Sequence, residues 1–266
     1  MIVSLLRTRA ALASTTRAAW VASARSYSAP AKDKVAVIAG ALNGSDPDLK
    51  DILEGNGSWA AEMRKRNPTF FDRIAKAQYP RYLYIGCCDA RVDPTVLMKV
   101  DYGDLFIHRN VGNLVVGSDL NVNSAIEFAV TKLKVPHIIV CGHYDCGAVR
   151  GSGKQLDHGI IENWLRNIRD VQRLHHKELS AVEGEENKHR KLVELNVREQ
   201  CLNVLKTGSV QRARMQSYKE TGFAIPRIHG LVFDPAAGQL TKLEVNWTEE
   251  TKEFDQIYNL YPKDQH

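Results

Sequence analysis

The sequence predicts an α/β fold: a mostly parallel sheet of four strands plus an antiparallel edge strand, with helices on both faces and an N-terminal helical arm. Three observations carry this. Ile138, Ile139, Val140 and Cys141 form an unbroken apolar run, which suits a central parallel strand buried on both faces. Apolar runs alternate with amphipathic stretches over most of the chain, the pattern of strands joined by crossover helices. Near the end, Asp234-Pro235-Ala236-Ala237-Gly238 reads as a hairpin turn, so the last strand returns antiparallel.

Taken in order, the start of the chain stands apart. It holds Arg7, Arg9, Arg17, Arg25 and Lys32, no acid precedes Asp33, and Ala and Ser are abundant. This is the composition of a mitochondrial transit peptide rather than of a folded element. A disordered tail without purpose is the competing reading. A secretory signal fits less well, because Arg breaks its short apolar stretches. Arg25-Ser26-Tyr27-Ser28 resembles a processing signal cut after Tyr27. Residues 1–27 are therefore expected to be an address to the mitochondrial matrix, and residues 28–266 a single domain with its helical arm. Cleavage there removes four Arg and lowers the formal charge from +5 to +1, so the basicity gives no ground for a nucleic-acid partner. No apolar run nears the roughly 18 residues of a membrane span, so no membrane partner is expected either.

After the leader, Val35 to Ala41 is a short apolar stretch without a clear period. Asp46 opens a helical pattern through Leu49, Ile52 and Leu53. Gly55-Asn56-Gly57-Ser58 interrupts it, and Ser58 is placed to cap a second helix over 59–65. Asn67-Pro68-Thr69 breaks the chain again before a helix over 70–77. Trp59, Phe70 and Phe71 give this arm large apolar residues, suited either to another subunit or to the chain's own sheet.

Strands are expected at 82–85, 105–108, 138–141, 228–233 and 240–247, the last as the edge strand. Helices are expected at 120–133, 161–174 and 192–205, with Ile126, Ala129, Val130 and Leu133 on one face of the first. The charged stretch 183–191 is a solvated loop or a helix start. Gly151-Ser152-Gly153-Lys154 resembles a phosphate loop, but Gln155 stands where Ser or Thr is needed, so a flexible loop is expected. His175-His176 lies on a polar stretch and is expected to be solvated.

The chemistry gathers at strand ends. An odd count of five cysteines beside a matrix-type address argues against a disulfide framework and for metal or core roles. Gly142 ends the central apolar run, and His143 and Cys146 follow at a spacing of three. The first strand ends at Gly86, directly before Cys87, Cys88, Asp89, Ala90 and Arg91. Ligands in open parallel sheets collect beyond the carboxyl ends of the strands. Cys87, His143 and Cys146 together make a Cys₂His set, a catalytic zinc pattern with the fourth place free. Singly, each cysteine also reads as a small core residue; together at two strand ends, zinc is the better reading.

Cys87-x-Asp89-x-Arg91 followed about fifty residues later by His143-x-x-Cys146 resembles the β-class carbonic anhydrases. The likeness runs from roughly Asp51 to Val245 and includes the His108-Arg109-Asn110-Val111-Gly112-Asn113 loop. The leader makes it a likeness to a mitochondrial form, a fungal one being an option left open. The resemblance implies one zinc ion per chain on Cys87, His143 and Cys146, with either water or Asp89 as the fourth ligand. It implies a lyase that interconverts CO₂ and bicarbonate, with Arg91 holding the Asp89 carboxylate off the metal so that water takes the open place. On spacing alone, Asp89 and Arg91 read equally as a salt bridge capping the next helix. The resemblance also makes Gln78, Phe106 and Val111 substrate-binding residues, usually lent by a neighbouring subunit, and so implies a homodimer or tetramer.

Phe128 stands where plant members often carry Tyr, so a hydroxyl is missing there. Tyr84 stands where members with a regulatory bicarbonate site carry Trp, so that regulation is not expected. His108 is a candidate proton shuttle and equally a packed strand residue. Two thiolates cancel the charge of Zn²⁺, so the bound water should be less acidic than on three neutral His, where its pKa is about 7. Activity is therefore expected to rise through mildly alkaline pH. Two other readings remain open: a carbon disulfide or carbonyl sulfide hydrolase on the same fold, and an inactive zinc protein.

Overall fold

The computed structural model describes residues 50–252 and 255–261. The expected leader, the stretch Val35 to Ala41 and the start of the first helical pattern at Asp46 lie outside these residues. The chain divides into two units, residues 1–72 and 73–266.

In the first unit, helix α1 runs unbroken over Lys50–Arg66, where two helices were expected. Glycine inside a helix costs only about 1 kcal/mol, and neither Gly55 nor Gly57 takes a left-handed conformation. Ser58 caps nothing; its hydroxyl donates to Glu54 O one turn back at 3.0 Å. The break expected at Pro68 is present, and α2 begins after it, at Phe70–Lys76. Trp59, Phe70 and Phe71 pack edge to face, with centroids 5.1 to 6.3 Å apart.

The second unit is built on one sheet. Its strands are β1 Tyr82–Cys87, β2 Leu105–Asn110, β3 His137–His143, β4 Arg227–Asp234 and β5 Gln239–Lys242. They lie in the order β2-β1-β3-β4-β5. The first four are parallel and β5 is antiparallel to β4. Two boundaries differ from expectation. Strand β3 continues through Gly142 to His143, so His143 closes the strand rather than lying in the turn. β5 stops at Lys242, and Trp247 opens a short helix instead.

The connecting helices are α3 Pro94–Leu97, α4 Leu120–Thr131, α5 Gly147–Ser152, α6 Ile161–Leu174, α7 His176–Ser180, α8 Glu185–Lys206 and α9 Gly208–Thr221, followed by α10 Trp247–Lys252 and α11 Asp255–Tyr258. The charged stretch 183–191 is thus a helix start. α5, α7, α9, α10 and α11 were not anticipated; Gly151 and Ser152 are buried at the end of α5 rather than in a flexible loop. His175 is half-buried, its ring 2.9 Å from Glu199 Oε1, so it is not solvated. His176 is exposed.

The main core joins one face of the sheet to these helices through Leu83, Ile85, Ile138, Val140, Ile168 and Val197. The opposite face carries a smaller cluster of Tyr84, Ile139 and Cys141, with Met98 and Leu231 against it. Glycine is needed where α8 crosses the sheet. A Cβ on Gly142 would lie 2.6 Å from Val197, and one on Gly230 3.1 Å from the same side chain. The close approach seats α8 over β3 and β4.

Candidate metal centre

The topology fixes where a site belongs. The connection after β1 leads outward to β2, and the connection after β3 leads the other way, to β4. A crevice therefore opens between the carboxyl ends of β1 and β3, the switch point at which open α/β sheets bind ligands. Cys87 is the last residue of β1, and His143 the last of β3. Cys146 follows as the N-cap of α5.

These three side chains are buried, and their ligand atoms lie within 4.8 Å of one another. The two sulfurs are 3.9 Å apart. A tetrahedral zinc with Zn–S near 2.3 Å requires about 3.8 Å. His143 Nδ1 lies 3.0 Å from the Tyr144 carbonyl, which can only accept, so the ring proton sits on Nδ1. Nε2 is then a free lone pair; it is fully buried and has no hydrogen-bond partner among the described residues. A buried nitrogen without a partner is costly unless a metal takes it. The donor set therefore fits zinc.

The protonation of the sulfurs agrees. Cys87 is held below the usual thiol range, first by its contact with Cys146 and further by His143 and the Gly112 N–H, against the opposing effect of burial. Cys146 is pushed the other way by the same contact. Cys141 and Cys201 differ: burial raises the Cys141 thiol to about 12 and also raises Cys201. They are core residues.

Asp89 sits at the edge of this group, its Oδ2 3.8 Å from His143 Nε2. Arg91 grips both of its oxygens. Nε donates to Oδ1 at 2.9 Å and Nη2 to Oδ2 at 2.7 Å, and the Arg91 backbone N–H adds a bond of 3.0 Å to Oδ1. This grip lowers the Asp89 pKa to about 2 despite partial burial. The pair does not cap α3; Asp93 does, accepting from the Thr95 and Val96 N–H groups.

Sequence reasoning missed two residues here. Arg109 donates to Cys87 O at 2.8 Å and Asp89 O at 2.7 Å, fastening the turn that carries both side chains. Asp145, between the two ligands of the second motif, accepts from Arg91 and Arg150. The only signal for Arg109 is a cation inside an otherwise strand-like run.

The three expected substrate residues do not come together in one chain. Gln78 is exposed and lines a hollow with Tyr102, Gly103 and Asp104, before the start of β2. Phe106 is the second residue of β2 and stacks on Phe128, centroids 5.7 Å apart. Both belong to the amino end of the parallel strands, opposite the metal centre. Val111 differs: it follows β2 at the carboxyl end, next to Gly112, whose N–H faces the Cys87 sulfur. Its neighbourhood is the site of its own chain, where a loan from a neighbouring subunit was expected. His108 is buried, with Asn110 Nδ2 3.3 Å from its Nε2, and burial lowers its pKa.

Residues 82–240 match the carbonic anhydrase family. A carbonic anhydrase of Emericella nidulans is 47% identical over 209 residues, covering 79% of this chain and 89% of that protein. Among solved structures, the β-carbonic anhydrase CafA of Aspergillus fumigatus superposes with a TM-score of 0.71 at 31% identity, over 80% of this chain and 99% of that one. A tetrameric β-carbonic anhydrase of Sordaria macrospora gives 0.67 at 32% identity, over 74% and 97%. The chain belongs to the carbonic anhydrase family, in its β class. Its reaction is the family's, the reversible hydration of CO₂.

Proposed function

We propose that this chain hydrates CO₂ at a zinc ion held by Cys87, His143 and Cys146, with Asp89 and Arg91 ordering the water that attacks. One observation carries the reading: Asp89 lies beside the metal group, yet both of its oxygens are bonded to Arg91. Zinc, when bound, acidifies a water so that a nucleophile is available near neutral pH. Asp89 supplies a carboxylate that stays ionised over the working range and can accept a hydrogen bond from that water. Arg91 occupies the carboxylate and so keeps it from closing the fourth place. The Nδ1–H of His143 on the Tyr144 carbonyl fixes the ring so that Nε2 faces inward. Arg109 holds the backbone of Cys87 and Asp89 in register.

Gln78 and Phe106, near the far end of the sheet, reach a metal centre only if a second copy brings them there. The tetramer formed by the Sordaria macrospora enzyme supports such self-association. Gln78 then offers an amide to CO₂ or bicarbonate, and Phe106 and Val111 an apolar wall suited to a molecule without a dipole.

Stopped-flow CO₂ hydration on protein beginning at Ser28, with zinc assayed on the same sample, tests this. Turnover rising through mildly alkaline pH, with about one zinc per chain, is expected. Full zinc with no hydration between about pH 6 and 9 sinks the proposal.

The leader reading is a proposal of its own: residues 1–27 address the chain to the mitochondrial matrix. N-terminal sequencing of protein recovered from mitochondria should begin at Ser28. Protein that stays in the cytosol with residues 1–27 intact refutes it.

A further inference from the structure

Asp145 occupies a position that asks for glycine. Its φ is +55°, a left-handed conformation that is free for Gly, mildly unfavourable for Asn and Asp, and costly for other residues. Non-glycine residues kept in such conformations cluster at working sites. The carboxylate here is fully engaged. Oδ2 accepts from Arg91 Nη1 at 3.3 Å, and Oδ1 accepts from Arg150 Nη2 at 3.0 Å. The Asp145 carbonyl accepts from Arg91 Nη2 at 3.2 Å. Arg150 is braced in turn by Glu186 of α8, at 3.2 Å.

The guanidinium of Arg91 therefore has two sides in use. Nε and one Nη2 hydrogen meet Asp89; Nη1 and the other Nη2 hydrogen meet Asp145. A planar group held at both edges has one orientation, whereas a group held at one edge can swing with its partner. We propose that Asp145 is a positioning residue for the Asp89–Arg91 pair, holding Arg91 from the side away from Asp89 so that the carboxylate stays clear of the metal. This rests on the reading of that pair given above. Asp145 is not one of the three grouped ligand residues and acts through Arg91.

The test uses the zinc-loaded chain with Asp145→Asn and Asp145→Gly. Both replacements suit the left-handed backbone, so fold and zinc content should be kept. The Asp145 side chain is 49% exposed, so the expected effect is modest: kcat/KM lower by about three- to fivefold. Zinc release to a chelator should become slower, because a loosened Asp89 can take the fourth place. Asp145→Asn added to Arg91→Ala should change neither quantity further. Unchanged kcat/KM, faster zinc release, or the same loss in the Arg91→Ala background each overturns the proposal. If Arg91→Ala itself leaves kcat/KM intact, the reading of the pair fails first. If Arg91→Ala abolishes activity while Asp145→Asn is silent, only the role of Asp145 fails.

Discussion

His143→Ala is expected to cost the chain its zinc and to lower CO₂ hydration by about three orders of magnitude or more, since the acidity of the attacking water rests on the metal. The ring is fully buried, and its Nε2 has no hydrogen-bond partner among the described residues. Its Nδ1 proton is fixed on Tyr144 O, so no tautomer shift allows another arrangement. The remaining ligands are two cysteines, which bind zinc only as thiolates, so metal binding must expel their protons. With two ligands, that step has too little to drive it. Cys87→Ser and Cys146→Ser should follow the same course. Cys141→Ser is the control. Cys141 is equally buried, but it packs with Tyr84 and Ile139, so its loss should leave zinc and turnover in place and cost only stability. Metal analysis and hydration assays on the four variants check this. Stoichiometric zinc with near-normal turnover in His143→Ala would remove the centre from the mechanism.

That control marks how far the sequence could be read. Cys87, His143 and Cys146 were readable because each closes or follows a strand, and strand ends announce themselves through apolar runs that stop at glycine. Cys141 was separable from them because it lies inside the buried apolar run of the strand rather than at its end. The extent of β3 was misjudged for a physical reason: Gly142 reads as a terminator, whereas it is there to admit Val197 of α8. In α9, only Ser209 and Val210 are buried, too few to set a helical period. Arg109 leaves no trace in spacing because it bonds backbone carbonyls 20 and 22 residues away, and a carbonyl has no residue type. Asp145 was hidden for a related reason. The motif marks it as any residue, and its role depends on a φ angle that only the fold supplies.

The second large effect concerns the pair that spacing left undecided between catalysis and a surface salt bridge. Arg91→Ala is expected to keep its zinc and its fold and to lose about a hundredfold or more in kcat/KM, the range for removing a group that orders the reacting atoms. The stability change should be small. The Arg91 side chain is 50% exposed, and an ion pair so open to solvent contributes about 1 kcal/mol or less. What it contributes has a defined pH window. The Asp89 pKa falls from 3.8 to about 2 on folding, so the stabilisation is complete above about pH 4 and is lost as the pH falls toward about 2. Over the range in which carbonic anhydrases work, the pair is fully charged and its effect on folding is constant. A large loss of activity there cannot be a stability effect. Arg91→Lys should recover little, because an ammonium cannot grip both oxygens at once. Asp89→Asn should fail for a different reason: an amide presents one acceptor and a donor where the water needs a carboxylate. Zinc analysis, thermal melts and stopped-flow rates on the three variants separate these effects. A variant lacking Arg91 that melts normally, holds its zinc and still turns over at half the parent rate would leave the pair as a salt bridge and nothing more.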